Sequence, residues 1–147
     1  MNMPAKSNPK IVADAWALLA FLQQEEPAAA RVKSVVESAE RGQCELFVSL
    51  INLGEVYYIV GRSKGIPEAD SVLEDLEQLS LKVIPADRPA VLRAASLKAV
   101  HRLSYADSFA MAAALALDAT LVTGDPELIA LGEHVRVEAL RRERPRK

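Results

Sequence analysis

The sequence has few of the residues that build disulfides or zinc sites. Its 147 residues include one cysteine, Cys44, and two histidines, His101 and His134. A single thiol excludes an internal disulfide and is typical of a reducing compartment. We interpret Cys44 as a packing residue beside a predicted strand, and the two histidines lack the spacing of a zinc site. Disulfide-stapled and zinc-dependent proteins are therefore disfavoured classes.

Long apolar runs are also missing. The longest two, Ala15–Leu22 and Phe109–Leu117, fall far short of the roughly 20 residues that cross a bilayer. The segment Met1–Lys10 is polar, contains two prolines and lacks the apolar stretch of a signal peptide. We therefore expect a soluble, cytoplasmic protein with no membrane partner.

Neither sign of charge dominates, since 18 basic and 20 acidic residues leave a net charge of −2. This balance does not by itself indicate a nucleic-acid partner. Positive charge is nevertheless concentrated in a basic C-terminal tail over residues 141–147, which contains Arg141, Arg142, Arg144, Arg146 and Lys147. A tail of this kind is usually solvated and less often contacts phosphate.

Hydrophobic residues make up 50% of the chain, and its length suits one domain, which we predict over residues 1–140. Short β-prone runs alternate with helix-prone runs along it. We predict strands at 11–13, 45–49, 82–85, 120–123 and 135–138, and helices at 16–22, 28–41, 50–62, 68–79, 87–101 and 104–118, with one helical turn after Asp125. This alternation predicts an α/β fold, a three-layer sandwich with a five-stranded, mainly parallel sheet.

Four acidic residues stand where such a fold forms its ligand crevice. In open α/β sheets the crevice lies beyond the carboxyl ends of the strands, where the strand order reverses. Asp14 follows the first strand and Asp125 follows the fourth, so their carboxylates meet if these strands are neighbours. Asp107 lies near the start of the helix that leads to the fourth strand, and Glu55 lies about one and a half turns into the helix after the second. We expect all four at one end of the sheet.

Carboxylates gathered in one place repel one another and raise each other's pKa values. A divalent cation relieves that repulsion. Oxygen ligands without histidine or cysteine favour Mg²⁺ or Mn²⁺ over zinc. Carboxylate-bound Mg²⁺ typically acts on phosphate esters, because it activates water and stabilises charge on the attacking and leaving oxygens.

Each of the three aspartates also has a simpler explanation at the start of a helix. Asp14 and Asp125 both fit an N-cap, the latter followed by proline, and Asp107 loosely fits the last position of a capping box. Glu55 does not fit, because it is the only charged residue within Leu50–Val60. Burying it without a partner would cost roughly several kcal/mol. Caps and metal ligands are compatible, since helix N-termini surround the crevice.

Four segments of the chain resemble motifs of the PIN-domain family, most closely its VapC-like toxin branch, over about residues 11–137. They are Ile11-Val12-Ala13-Asp14, Asn52-Leu53-Gly54-Glu55-Val56, Leu103-Ser104-Tyr105-Ala106-Asp107-Ser108-Phe109-Ala110 and Leu121-Val122-Thr123-Gly124-Asp125. The resemblance implies a five-stranded parallel sheet, a Mg²⁺- or Mn²⁺-dependent endoribonuclease, a cognate antitoxin and a homodimer. It also implies a catalytic site made of Asp14, Glu55, Asp107 and Asp125. The three aspartates would be its metal ligands, and Thr123 would have a supporting role.

One departure from the family pattern keeps other functions open. The family usually has serine or threonine directly after the first aspartate, whereas this chain has Ala15 followed by Trp16. A PIN-like binding module that is catalytically weak or inactive is therefore an alternative. An aspartate-based phosphotransferase is disfavoured, because such enzymes commonly have a second aspartate at the position that Trp16 occupies.

Overall fold

The computed structural model describes residues 7–143, in which five strands alternate with helices. The strands are β1 (Lys10–Ala13), β2 (Glu45–Ser49), β3 (Leu81–Ile84), β4 (Thr120–Thr123) and β5 (Val137–Ala139). The helices are α1 (Ala15–Leu22), α2 (Ala28–Glu40), α3 (Leu50–Lys64), α4 (Ile66–Glu77), α5 (Arg88–Val100), α6 (Tyr105–Leu117) and α7 (Pro126–Ile129). No helix within residues 7–143 is both long and apolar enough to cross a membrane.

Most element boundaries differ from the sequence prediction by one or two residues, and two of these differences have a clear local reason. The fifth strand is predicted from residue 135, but β5 begins at Val137, because the N–H of Val135 bonds to the carbonyl oxygen of Leu131 at 3.2 Å. Helix α4 begins at Ile66 rather than at 68. Pro67 therefore lies in its first turn, where a missing N–H is no disadvantage.

All strand pairings in the sheet are parallel, in the order β3-β2-β1-β4-β5. The chain runs outward from β1 to β3 and then returns to β4 on the other side of β1. The strand order therefore reverses between β1 and β4. In that pair Ile11 lies opposite Thr120 and Ala13 opposite Val122, so the carboxyl ends of both strands reach the same level. A ligand crevice is expected at this point.

Helices cover both faces of the sheet, and an apolar core fills each of the two spaces. One core joins strand residues to residues of α1, α3 and α4, namely Leu46, Val48, Leu18, Val56 and Leu76. The other joins strand residues to α6 and α7, namely Val12, Leu121, Met111 and Leu128. Burying each of these side chains contributes about 1.5–3 kcal/mol. The predicted α/β three-layer sandwich with a five-stranded parallel sheet is confirmed.

The end of the described chain packs against the loop between α1 and α2. The N–H of Ala28 bonds to the carbonyl oxygen of Arg141 at 2.9 Å, and the N–H of Glu143 bonds to that of Glu26 at 2.9 Å. The start of the predicted basic tail is therefore held by backbone hydrogen bonds. Its remaining basic residues lie outside the described residues: Arg144, Arg146 and Lys147.

Candidate active site

Asp14 stands at the junction of β1 and α1 and uses both of its carboxylate oxygens there. Its Oδ1 accepts a hydrogen bond from the N–H of Ala17 at 2.9 Å, which makes Asp14 the N-cap of α1. Its Oδ2 accepts a hydrogen bond from the hydroxyl of Thr123 at the end of β4. The side chain is only 1% exposed. The cap explanation is thus right for Asp14, and the same carboxylate also reaches across to the neighbouring strand.

Thr123 links the ends of the two central strands. Its hydroxyl donates to Asp14, and its Oγ1 accepts a hydrogen bond from the N–H of Asp125 at 3.0 Å. The threonine is completely buried, so both bonds are shielded from water. This arrangement fixes the backbone that carries Asp125 relative to the carboxylate of Asp14.

Asp107 and Asp125 approach each other beyond the carboxyl end of β4. Asp107 lies in the first turn of α6, whose N-cap is Ser104, so Asp107 is not itself the cap. Asp125 is the N-cap of α7 and accepts a hydrogen bond from the N–H of Glu127 at 2.8 Å. Carboxylate oxygens of Asp107, Asp125 and Glu127 lie within 4.8 Å of one another.

Glu127 is the member of this group that sequence reasoning missed. It stands two residues after Asp125 in the first turn of α7, and its side chain is exposed. An acidic residue in a first helical turn has an ordinary explanation in the helix dipole. The only sequence signal was the acid–Pro–acid spacing of residues 125–127, which is too common to identify a ligand.

Glu55 lies on α3 and connects to the same region through Asn52. The Nδ2 of Asn52 donates to Oε1 of Glu55 at 2.9 Å and to the carbonyl oxygen of Ala106 at 3.0 Å. Ala106 directly precedes Asp107, so this amide joins the helix of one predicted acid to the helix of another. Glu55 is half-buried, whereas Asn52 is fully buried. Sequence reasoning missed Asn52, although its spacing of three residues from Glu55 put both on one helix face.

The electrostatics tie the predicted acids together, although Asp14 and Glu55 are not in the close group around Asp107. Burial raises the pKa of Asp14 from 3.8 to about 7, and the charges of Asp125 and Glu55 add to the rise. Burial and the neighbouring carboxyl of Asp125 raise the pKa of Asp107 from 3.8 to about 7. Burial, followed by the charge of Asp125, also raises the pKa of Glu55. Asp14, Asp107 and Glu55 are therefore harder to ionise, chiefly because they are buried and further because other carboxylates lie near them.

The donor set fits a hard divalent cation. The close group offers carboxylate oxygens alone, which suit Mg²⁺ and Mn²⁺ better than zinc. Asp107, Asp125 and Glu127 would hold such an ion, since their carboxylate oxygens lie within 4.8 Å of one another. A positive ion would also offset the repulsion among these carboxylates.

The departure at Ala15 and Trp16 has a structural counterpart. Ala15 is buried in the apolar core, and its methyl group offers no hydroxyl to the acids. The ring of Trp16 packs against Gly124, where an added Cβ would lie 2.3 Å from ring carbons. The guanidinium carbon of Arg142 lies over the same ring, 5.0 Å from its centroid, and Arg142 pairs with Glu25 at 3.0 Å. Trp16 thus supports the loop that carries Asp125.

Several solved structures share this fold. VapBC2 from Rickettsia felis, bound to a DNA fragment from its promoter, matches with a TM-score of 0.69 and 17% identity over 90% of this chain and 99% of that chain. A toxin–antitoxin complex from Klebsiella pneumoniae matches with a TM-score of 0.63 and 15% identity over 88% and 96% of the two chains. VapC20 from Mycobacterium tuberculosis, a sarcin–ricin loop cleaving toxin, matches with a TM-score of 0.67 and 15% identity over 83% and 95%.

These identities are low, so the structural similarity establishes the fold alone. No curated protein is similar enough in sequence to give a match. The sequence model of the PIN domain, however, matches residues 11–133, which include all but the first residue of β1, all of β4 and every acid of the candidate site. The chain belongs to the PIN domain family.

Proposed function

We propose that the protein is a Mg²⁺- or Mn²⁺-dependent endoribonuclease that hydrolyses RNA phosphodiester bonds as the toxin of a toxin–antitoxin pair. The observation that carries the proposal is the approach of Asp107 and Asp125 beside the buried Asp14, at the point where the strand order of a PIN domain reverses. A strongly repelling acidic group at this position is difficult to explain by folding alone, because it destabilises the metal-free protein.

In this proposal Asp14, Asp107 and Asp125 hold the metal, and Glu127 adds an oxygen from the rim. A bound divalent cation supplies activation of water and stabilisation of negative charge on the phosphate oxygens. Glu55 is the proton acceptor for the attacking water, since its raised pKa makes it a better base at neutral pH. Thr123 keeps Asp14 oriented through its hydroxyl.

The proposed partners follow from the solved relatives. One is described as a toxin–antitoxin complex and another as a toxin that cleaves the sarcin–ricin loop. We propose by analogy an RNA substrate, a cognate antitoxin that blocks the acidic site, a homodimer and a cytoplasmic location. Expression together with the adjacent small reading frame tests the antitoxin, because its product should co-purify. Light scattering on the purified toxin tests the dimer.

A PIN-like binding module that has lost useful catalysis is the second candidate. The alanine at position 15 favours it, because no hydroxyl stands directly after Asp14. The two candidates differ in RNA turnover and agree on the fold and on RNA or partner binding.

Cleavage of a defined RNA by antitoxin-free protein, with Mn²⁺, Mg²⁺ or chelator, separates the two. We expect cleavage with either metal, none with chelator, and a loss of at least about 100-fold in Asp14→Asn and Asp107→Asn. Asp87→Asn is the matched control, since Asp87 is an exposed N-cap of α5 outside the site. The absence of cleavage with both metals, or equal cleavage by all variants, would reject the nuclease and leave the binding module.

A further inference from the structure

Asn52 is a fully buried polar side chain on the apolar face of α3. It is 0% exposed, and its neighbours on the buried side of α3 are Leu53 and Val56. Both hydrogens of its Nδ2 are used, one by Glu55 and one by the carbonyl oxygen of Ala106. Its Oδ1 has no hydrogen-bond partner among the residues that the structure describes.

The hydrogen bonds fix the orientation of this amide. A rotation that exchanged the nitrogen and oxygen would turn Oδ1 toward a carboxylate and a carbonyl, and both of these groups only accept hydrogen bonds. The observed orientation is therefore the one that satisfies both partners. It leaves a buried oxygen unpaired, which is unfavourable for folding.

An apolar residue at position 52 would avoid that unpaired oxygen and would suit the contact between α3 and α6. What it could not do is hold a carboxylate. The amide of Asn52 donates one hydrogen bond to Glu55 and another to the carbonyl oxygen of Ala106, one residue before Asp107. The amide thus fixes the distance between the carboxylate on α3 and the first turn of α6.

We propose that Asn52 is a positioning residue that holds the Glu55 carboxylate in its working place beside the acidic group of α6 and α7. This inference rests on the proposed function, since it gives Asn52 its role in metal-dependent RNA cleavage. Asn52 acts through Glu55 and touches neither metal nor RNA. Removing a hydrogen-bond partner of this kind typically lowers metal affinity or activity by about 10- to 100-fold.

A double-mutant cycle tests the proposal. Asn52→Leu is made in the wild type and in Glu55→Gln, with Asn52→Ala as a second variant that cannot overpack the interior. Two quantities are measured: the affinity for Mn²⁺ alone by calorimetry, and the rate and KM of RNA cleavage. We expect Asn52→Leu to lower the rate, the Mn²⁺ affinity or both by about 10-fold or more in the wild type, with KM changed less than about threefold. In Glu55→Gln the same change should have less than about a twofold effect.

Val60→Ala is the matched control for stability, because Val60 is a buried apolar residue farther along α3. It should lower the melting temperature and leave the rate and the Mn²⁺ affinity within about twofold. Asn52→Leu should keep the wild-type melting temperature or raise it. The proposal is overturned if Asn52→Leu and Asn52→Ala change neither the cleavage rate nor the Mn²⁺ affinity. It is also overturned if they lower both quantities equally in the wild type and in Glu55→Gln, or if both quantities fall only in proportion to the melting temperature. Wild-type protein that binds Mn²⁺ but cuts no RNA would reject the proposed function. The Mn²⁺ cycle would still decide the role of Asn52, because the charge of Glu55 acts on Asp14 and Asp125 and therefore contributes to the affinity for a cation.

Discussion

Replacing Asp14 by asparagine should stabilise the metal-free protein at neutral pH while removing its activity. The folded structure raises the pKa of Asp14 from 3.8 to about 7, chiefly through burial. Each pKa unit is worth about 1.36 kcal/mol, so ionising this carboxyl in the folded protein above pH 7 opposes folding by about 4 kcal/mol. Asparagine has nearly the same shape and carries no charge. Its oxygen can accept the N–H of Ala17, and its nitrogen can donate to Oγ1 of Thr123.

The sign of the pH dependence follows from the raised pKa. The folded protein binds the Asp14 proton more tightly than the unfolded chain does. The contribution to stability is therefore fully present below about pH 4 and is lost as the pH rises through about 7. Asp107 contributes in the same direction, because its pKa is also raised to about 7. Wild-type protein in chelator should thus become less stable between pH 5 and 8, and Asp14→Asn should lose much less.

Urea unfolding in chelator at a series of pH values measures this difference. At pH 8 we expect Asp14→Asn to unfold at higher urea than the wild type, with Asp87→Asn unchanged as the exposed control. Added Mn²⁺ should stabilise the wild type by mass action and leave Asp14→Asn unaffected. The reasoning is refuted if Asp14→Asn is less stable than the wild type at pH 8, or if the two proteins show the same pH slope.

Three further predictions concern the surroundings of the acids. Gly124→Ala should lower the unfolding free energy by about 1–3 kcal/mol, because the added Cβ would collide with Trp16. Gly54→Ala is the control: the space around Gly54 is open, so this variant should raise the unfolding free energy by about 0.5–1 kcal/mol. Equal effects in chemical denaturation would contradict this. Thr123→Val leaves the buried carboxylate of Asp14 and the N–H of Asp125 without their partner. It should therefore lower the unfolding free energy by about 1–3 kcal/mol and weaken Mn²⁺ binding, measured by calorimetry, about 10-fold. Wild-type values would argue against a supporting role for Thr123. Glu127→Gln should weaken Mn²⁺ binding by less than about 10-fold, since this side chain is exposed, and a complete loss would make it a principal ligand.

The sequence was sufficient to predict the order of strands and helices and to place Asp14 and Asp125 just beyond the ends of two strands. Asp14 directly follows one β-prone run, and Asp125 follows another after Gly124. Parallel strands bring their carboxyl ends to one edge, so the two carboxylates are expected to meet. That inference still required β1 and β4 to be neighbours. The adjacency depends on how the helices pack over both faces, and the structure has these strands paired with Val12 opposite Leu121.

The features of the site that could not be predicted from the sequence depend on tertiary contacts. Glu127 belongs to the acidic group only because α7 turns back toward α6, and nothing local distinguishes it from an ordinary first-turn acid. Asn52 is buried by α6, which lies far along the chain, so its spacing from Glu55 said nothing about its second bond to Ala106. The late start of β5 likewise reflects the turn that Val135 makes with Leu131, since an apolar–polar alternation does not reveal such a turn.

The central claim is that the carboxylates beyond β1 and β4 hold a divalent cation. Anomalous diffraction from crystals of the protein soaked in Mn²⁺ tests it most directly. We predict a peak within bonding distance of carboxylate oxygens of Asp107 and Asp125, and loss of that peak in Asp125→Asn crystals. A fully soaked crystal with no peak there, or with Mn²⁺ bound only elsewhere, would contradict it.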